Sequence, residues 1–304
     1  MIFEGSMSVI DAIKEKKRLM EEGKEHRHIQ PLLVIDGGLM KGAYGAGAVI
    51  AMEEMGLSAV FENVVGISSG APTASYFVAG EVQKGVQIYF EEACTRAFIN
   101  PWRIWNQVDT LYFAGALRGV TGKGIDTDKV FASHTKLYIG VANFQTGTPK
   151  LLKPKTGEEL FTAVQASILM PNVSSDVVRF NDIRYVDGGF TRPHILRIAI
   201  DEIKATHVLI LTNQDKTVSI IPLLERFLNH TLFRWRMPKA LRFAAHERRR
   251  ERLKVLVDME ENYGKPYALV WGNHSIRGTE RNSDVVKSVV EKSRLWWHAL
   301  LKDR

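Results

Sequence analysis

Ser68 stands at the centre of Gly66-Ile67-Ser68-Ser69-Gly70, directly after the apolar-rich run Val60-Phe61-Glu62-Asn63-Val64-Val65. That order reads as strand, sharp turn and helix, with the serine hydroxyl at the apex and small neighbours leaving room for a strained backbone. The positive end of the following helix favours negative charge developing beside it. The chemistry suggested is nucleophilic attack, in a hydrolase or acyltransferase. A G-x-S-x-G pentapeptide is a weak pattern by itself in 304 residues, so other segments must decide its meaning.

A serine hydrolase also needs donors for the oxyanion of its tetrahedral intermediate. Backbone N–H groups of a Gly-rich loop at a helix N-terminus supply them without side-chain chemistry. Gly37-Gly38-Leu39 follows the apolar run Pro31-Leu32-Leu33-Val34-Ile35-Asp36, and a helix begins near Gly42. In a parallel sheet the ends of both strands open onto one edge, so this loop and Ser68 face each other. The loop does not fit a nucleotide cradle. Gly45-Ala46-Gly47 has Ile50 where a dinucleotide fingerprint needs glycine, and Lys41 lacks the neighbours of a P-loop. Tight helix–strand packing is the plain alternative for these glycines.

A general base is the third requirement. Asp187 closes a strand-like run and precedes Gly188-Gly189, although Asp before Gly-Gly is also an ordinary turn. Nine histidines are present, and His194 and His207 are the two that a Ser–Asp–His triad would use. Neither has a context that sets it apart from a structural or solvated histidine.

The elements that must position these groups read as α/β. Ser8–Glu22 has the apolar spacing of a helix with Ser8 as its N-cap; strands are expected at 31–36 and 60–66, and helices at 43–55 and 69–79. Strand-like runs at 137–142 and 149–152 flank a turn at 145–148. A helix follows at 158–167, then strands around Asn181-Asp182, strands at 207–212 and 267–271, and a helix at 284–302. Strand–helix alternation predicts a central, mostly parallel sheet. No repeat or long linker divides the chain.

Bulk properties narrow the class. A hydrophobic content of 45% with 25% charged residues is that of a globular protein. The acidic residues within Met1–Lys24 argue against a secretory leader, and no apolar run reaches the ~20 residues that span a bilayer. Cys94 is the single cysteine, which excludes an intrachain disulfide and a multi-cysteine zinc site. These features imply a cytoplasmic protein with neither a signal peptide nor a transmembrane helix. No cofactor or metal is expected. The net charge of +7 is concentrated at 226–254, where arginines interleave with aromatic residues. That segment suits peripheral contact with an anionic membrane, hence membrane association, or a surface helix pair with solvated arginines. Nucleic acid is not an expected partner.

Taken together, Asp36-Gly37-Gly38-Leu39-Met40-Lys41-Gly42, Gly66-Ile67-Ser68-Ser69-Gly70 and Asp187-Gly188-Gly189 resemble the motif set of the patatin-like phospholipases. Ala166 to Pro171 is similar to the helix end that precedes the aspartate in that family. The resemblance spans roughly 30–215, with 1–29 as an N-terminal helical extension and 216–304 as a basic, helical region completing the same domain. It implies a three-layer α/β sandwich and a lipid acyl hydrolase acting on phospholipid or another acyl ester. It further implies a Ser68–Asp187 dyad without histidine, an oxyanion hole at Gly37, Gly38 and Leu39, and support of that loop by Lys41 and Gly42. Leu39 departs from the pattern, standing where the family has a third glycine. If that position needs φ > 0, leucine is strained there by about 1–2 kcal/mol. Two other readings stay open: an esterase with a Ser–Asp–His triad, and a lipid-binding protein that keeps the fold without catalysis.

Overall fold

Five short strands buried on both faces build the centre of a nine-stranded sheet. They are β2 (Pro31–Ile35), β3 (Asn63–Ile67), β4 (Lys136–Asn143), β8 (His207–Thr212) and β9 (Tyr267–Trp271). Their near-continuous apolar runs are what a parallel sheet covered on both sides requires, and they pair in parallel in the order β9-β8-β2-β3-β4. These features come from a computed structural model that describes residues 1–100, 102–103, 105–213, 236–245, 264–272 and 276–302. The basic segment 226–254 lies outside the described residues except for 236–245.

Antiparallel strands close both ends of the sheet. β1 (Ile2–Gly5), which no periodicity in the sequence announces, pairs with β9. At the other end β5 (Pro149–Leu152) and β7 (Ile183–Asp187) both pair with β4, and β6 (Val178–Phe180) pairs with β7. Val141 and Ala142 pair with β5 and β7 together, whereas Ile139 and Gly140 pair with β5 and β3 together. A strand has two flanks, so β7 shares a flank of β4 with β3 and continues its line end to end.

The alternation of side chains along the strands separates two apolar layers. Leu33, Ile35, Val64, Leu209 and Val270 face one core, with α1 (Ser8–Glu21), α2 (Ala43–Glu54), α3 (Gly70–Val78) and α7 (Gly157–Ile168). Leu32, Val34, Val65, Ile67 and Ile210 face a second core against α8 (Arg192–Glu202). The result is a three-layer α/β sandwich. Further short helices are α4 (Val82–Glu91), α5 (Thr110–Leu117) and α6 (Thr127–Ala132). Ser8 begins α1 rather than capping it: Met7 holds the cap position and makes no side-chain cap bond.

Helix Ser283–Lys302 lies across α2, which is buried along nearly its whole length. The backbones approach so closely at Gly47 that a Cβ there would overlap the Val290 carbonyl. Ser293 Oγ donates to the Tyr44 carbonyl at 2.7 Å across the same contact. Among the described residues, no helix is long and apolar enough to cross a membrane.

Candidate active site

Register brings the three chemical segments together. β2 and β3 run in parallel with Ile35 opposite Gly66, so Gly37 and Ser68 leave the sheet at the same edge. Their contact is intimate: a Cβ on Gly37 would overlap that of Ser68 and lie 2.7 Å from its Oγ. A side chain at Gly70 would strike the Ile35 carbonyl, which explains the second glycine of the pentapeptide. Ser68 itself takes φ = +55°, and α3 starts two residues later. The left-handed conformation costs an L-residue about 1–2 kcal/mol, and it places the hydroxyl at the helix mouth.

The shared flank of β4 delivers Asp187. Ile67 pairs with Gly140 and Asp187 with the next residue, Val141, so β3 and β7 end nose to nose. Ser68 Oγ donates to Asp187 Oδ2 at 2.8 Å, with no histidine between them. The pair is nearly dry, Ser68 being 6% and Asp187 4% exposed. Asp187 Oδ1 accepts the Gly189 N–H at 2.6 Å, and the Asp187 N–H donates to Leu169 O at 2.8 Å. Gly188 is held to glycine because a Cβ there would overlap the Gly140 carbonyl.

Ser167, at the end of α7, is a residue whose role sequence reasoning missed. Its Oγ accepts the Ser68 N–H at 2.9 Å and donates to Gly140 O at 2.7 Å, and it is fully buried. It therefore fastens the strained turn to the neighbouring strand. Its place within Ala166–Pro171, the helix end that precedes the aspartate segment, was a cue to its position but not to its role.

The glycine loop is organised by Asp36, another residue whose part was not foreseen. Asp36 Oδ1 accepts the Gly37 N–H at 2.7 Å and lies 2.5 Å from Arg192 Nε at the start of α8. Thr212 Oγ1 donates to Oδ2 at 3.3 Å. Asn213 Nδ2 donates to the Asp36 carbonyl at 2.5 Å while its Oδ1 accepts the Gly45 N–H, tying the loop to α2. A carboxylate at the end of an apolar strand needs such partners, but nothing in the sequence says which arginine supplies the charge.

Gly38 N–H donates to Ser69 Oγ at 3.1 Å, and Leu39 to Gly42 form one 3-10 turn. Leu39 sits at φ = +53°, so the position does demand the left-handed region that suits glycine. Among the described residues its N–H makes no hydrogen bond. The Lys41 N–H donates to Gly38 O at 3.1 Å, bracing the turn through the backbone. Gly42 packs against the hydroxyls of Tyr89 and Ser69, where a Cβ would collide.

An apolar cleft of about 410 Å³, open solvent included, leads away from Ser68 between Leu39, Met40, Pro72, Tyr89, Phe98, Phe113 and Ile168. Burial pushes the Tyr89 hydroxyl up to about 12, so it stays neutral, and it donates to Ser69 O at 3.0 Å. His207 begins β8 opposite Pro31, at the amino edge of the sheet and away from Ser68. His194 lies in the first turn of α8. Among the described residues, no group of three or more His, Cys, Asp or Glu side chains is placed to hold a metal ion.

No curated protein sequence matches the chain. Among solved structures it is similar to VipD from Legionella pneumophila, with a TM-score of 0.48 and 12% identity over 90% of this chain and 66% of that one, just under two thirds of its length. The sequence model of the family described as "Patatin-like phospholipase" matches residues 33–200, a span that contains the glycine loop, Ser68 and Asp187 and exceeds half of the chain. The chain therefore belongs to the patatin-like phospholipases, a family of lipid hydrolases.

Proposed function

We propose that the protein is a lipid acyl hydrolase in which Ser68 is the nucleophile and Asp187 the general base. The observation that carries this reading is the buried 2.8 Å bond from Ser68 Oγ to Asp187 Oδ2, made at the mouth of an apolar cleft. As Oγ bonds to the ester carbonyl carbon, its proton passes to Asp187 Oδ2 and the carbonyl oxygen becomes an oxyanion. Collapse breaks the bond to the leaving alcohol, which takes the proton back from Asp187. Water then attacks the acyl-serine, giving its proton to Asp187. Release of the fatty acid returns that proton to Ser68.

The oxyanion is assigned to the loop N–H groups. Leu39 offers its N–H without breaking an existing bond, and Gly38 does so by exchanging Ser69 Oγ for the oxyanion. Gly37 N–H already serves the Asp36 carboxylate, so its contribution is to the loop's shape. The strain at Leu39 is thus tolerable for catalysis, because a backbone donor is what the position supplies.

A fluorophosphonate should label Ser68 in the wild type and not in Ser68→Ala. Asp187→Asn should lower hydrolysis of phosphatidylglycerol micelles by at least about 100-fold while retaining the fold. A wild-type protein that takes no label and cleaves no acyl ester would overturn the proposal.

A further inference from the structure

The carboxyl edge of the sheet carries a second feature besides the cleft. Phe98, one wall of the cleft, leads into a loop closed by the Ile99–Val108 bridge. The loop is braced from within: Arg103 pairs with Asp109 at 3.0 Å and donates to the Ala97 and Phe98 carbonyls at 2.8 and 3.1 Å. Yet Trp102 is 85% and Trp105 56% exposed. Two indoles held out in water are not what folding alone selects; an amphipathic ring of this kind belongs at an interface between apolar and wet phases.

Positive charge lies beside Trp105. Arg236 donates to the Trp105 and Ser174 carbonyls, with its guanidinium 5.9 Å from the Trp105 ring centre. The β6–β7 hairpin continues the line of β3 outward past Ser68, and so stands on this same edge. It brings Arg179 and Arg184, and the positive charges of Arg179 and Arg236 both act on Arg184. Arg184 Nε is buried without a hydrogen-bond partner, and neither Arg179 nor Arg184 forms an ion pair among the described residues. Ile183, beside them, is also exposed.

We propose that this rim, Trp102 and Trp105 with the arginines at 179, 184 and 236, docks the protein on an anionic lipid surface and sets the cleft against it. The inference rests on the lipid hydrolase reading for its purpose, but its geometry is independent of Ser68 chemistry. Arg179 and Arg184, which form no ion pair among the described residues, select anionic headgroups, and the indoles enter the headgroup layer beside the cleft mouth.

The test is co-sedimentation with vesicles of equal parts phosphatidylglycerol and phosphatidylcholine, in the Ser68→Ala background so that no lipid is consumed. Partition should weaken at least about tenfold in Trp102→Ala/Trp105→Ala and about fivefold in Arg179→Gln, and it should fall with added salt. Pure phosphatidylcholine vesicles should bind less. All substituted side chains are exposed, so thermal midpoints should match the parent. Variants that partition as the parent does, or a parent that ignores the anionic vesicles, would overturn the proposal, and the rim would then suit an acidic protein instead. Failure of the wild type to cleave esters would sink the catalytic reading and leave this measurement intact.

Discussion

Ser167→Ala isolates the element that holds the Ser68 turn in place. The variant removes a hydroxyl that accepts from Ser68 N–H at 2.9 Å and donates to Gly140 O at 2.7 Å, both in a dry environment. A buried donor left without a partner costs about 1–3 kcal/mol. The carbonyl has a second lone pair and loses less, so the change should destabilise the fold by about 2–3 kcal/mol. Ser68 at φ = +55° holds about 1–2 kcal/mol of conformational strain, which this bond helps to retain. Once released, the turn can relax and Oγ drifts from Asp187, so kcat should fall about tenfold or more with KM little changed. Urea unfolding gives the first quantity, and steady-state hydrolysis of a short-chain nitrophenyl ester gives the second. A loss below about 0.5 kcal/mol together with unchanged kcat would refute the reasoning, since an unmade buried bond cannot be that cheap.

Further outcomes follow from the same geometry. Gly37→Ala drives a methyl into Ser68 and should abolish fluorophosphonate labelling; retained labelling would mean the loop is free to move away. Arg192→Met strands the buried Asp36 carboxylate and should cost about 3 kcal/mol in denaturant unfolding, the lower end for such pairs because Gly37 and Thr212 still donate. Burial raises the Cys94 thiol to about 11, so iodoacetamide at pH 8 should modify the folded protein about 200-fold more slowly than a free thiol. Burial also lowers the His207 pKa. The unfolded state then binds the proton first, so stability should be flat above about pH 6.5 and decline below it. His207→Asn should lessen that decline in thermal midpoints measured between pH 7.5 and 5.5, and an identical profile would remove His207 as its cause.

The strands that carry the site were legible because each is short and apolar and leads directly to Asp36, Ser68 or Asp187. His207–Thr212 and Tyr267–Trp271 match residue for residue. β3 was read three residues early, at Val60, because a 3-10 turn, Ser58–Val60, precedes it with equally apolar residues. β1 escaped notice because its four residues have no alternation of their own and depend on pairing with β9, far away in the chain. α8 opens with Arg192-Pro193-His194, a charged start that masks the apolar stripe of Ile195, Leu196, Ala199 and Ile200. Within the site, Ser68, Asp187 and the loop could be found as motifs. Ser167, Asp36 with Arg192, and Asn213 could not, because their roles exist only through contacts between distant segments.

The pairing order of the sheet also governs when a growing chain becomes competent. Both Ser68 and Asp187 precede β8, yet β2, which holds the glycine loop, remains an open edge until residues 207–212 arrive beside it. β8 in turn waits for β9, and β1, made long before it, has no partner until residues 268–271 emerge. Such long-range closures are slow and come late. A nascent chain would therefore hold Ser68 and Asp187 with the glycine loop still unanchored until residues 207–212 and 267–271 have been added.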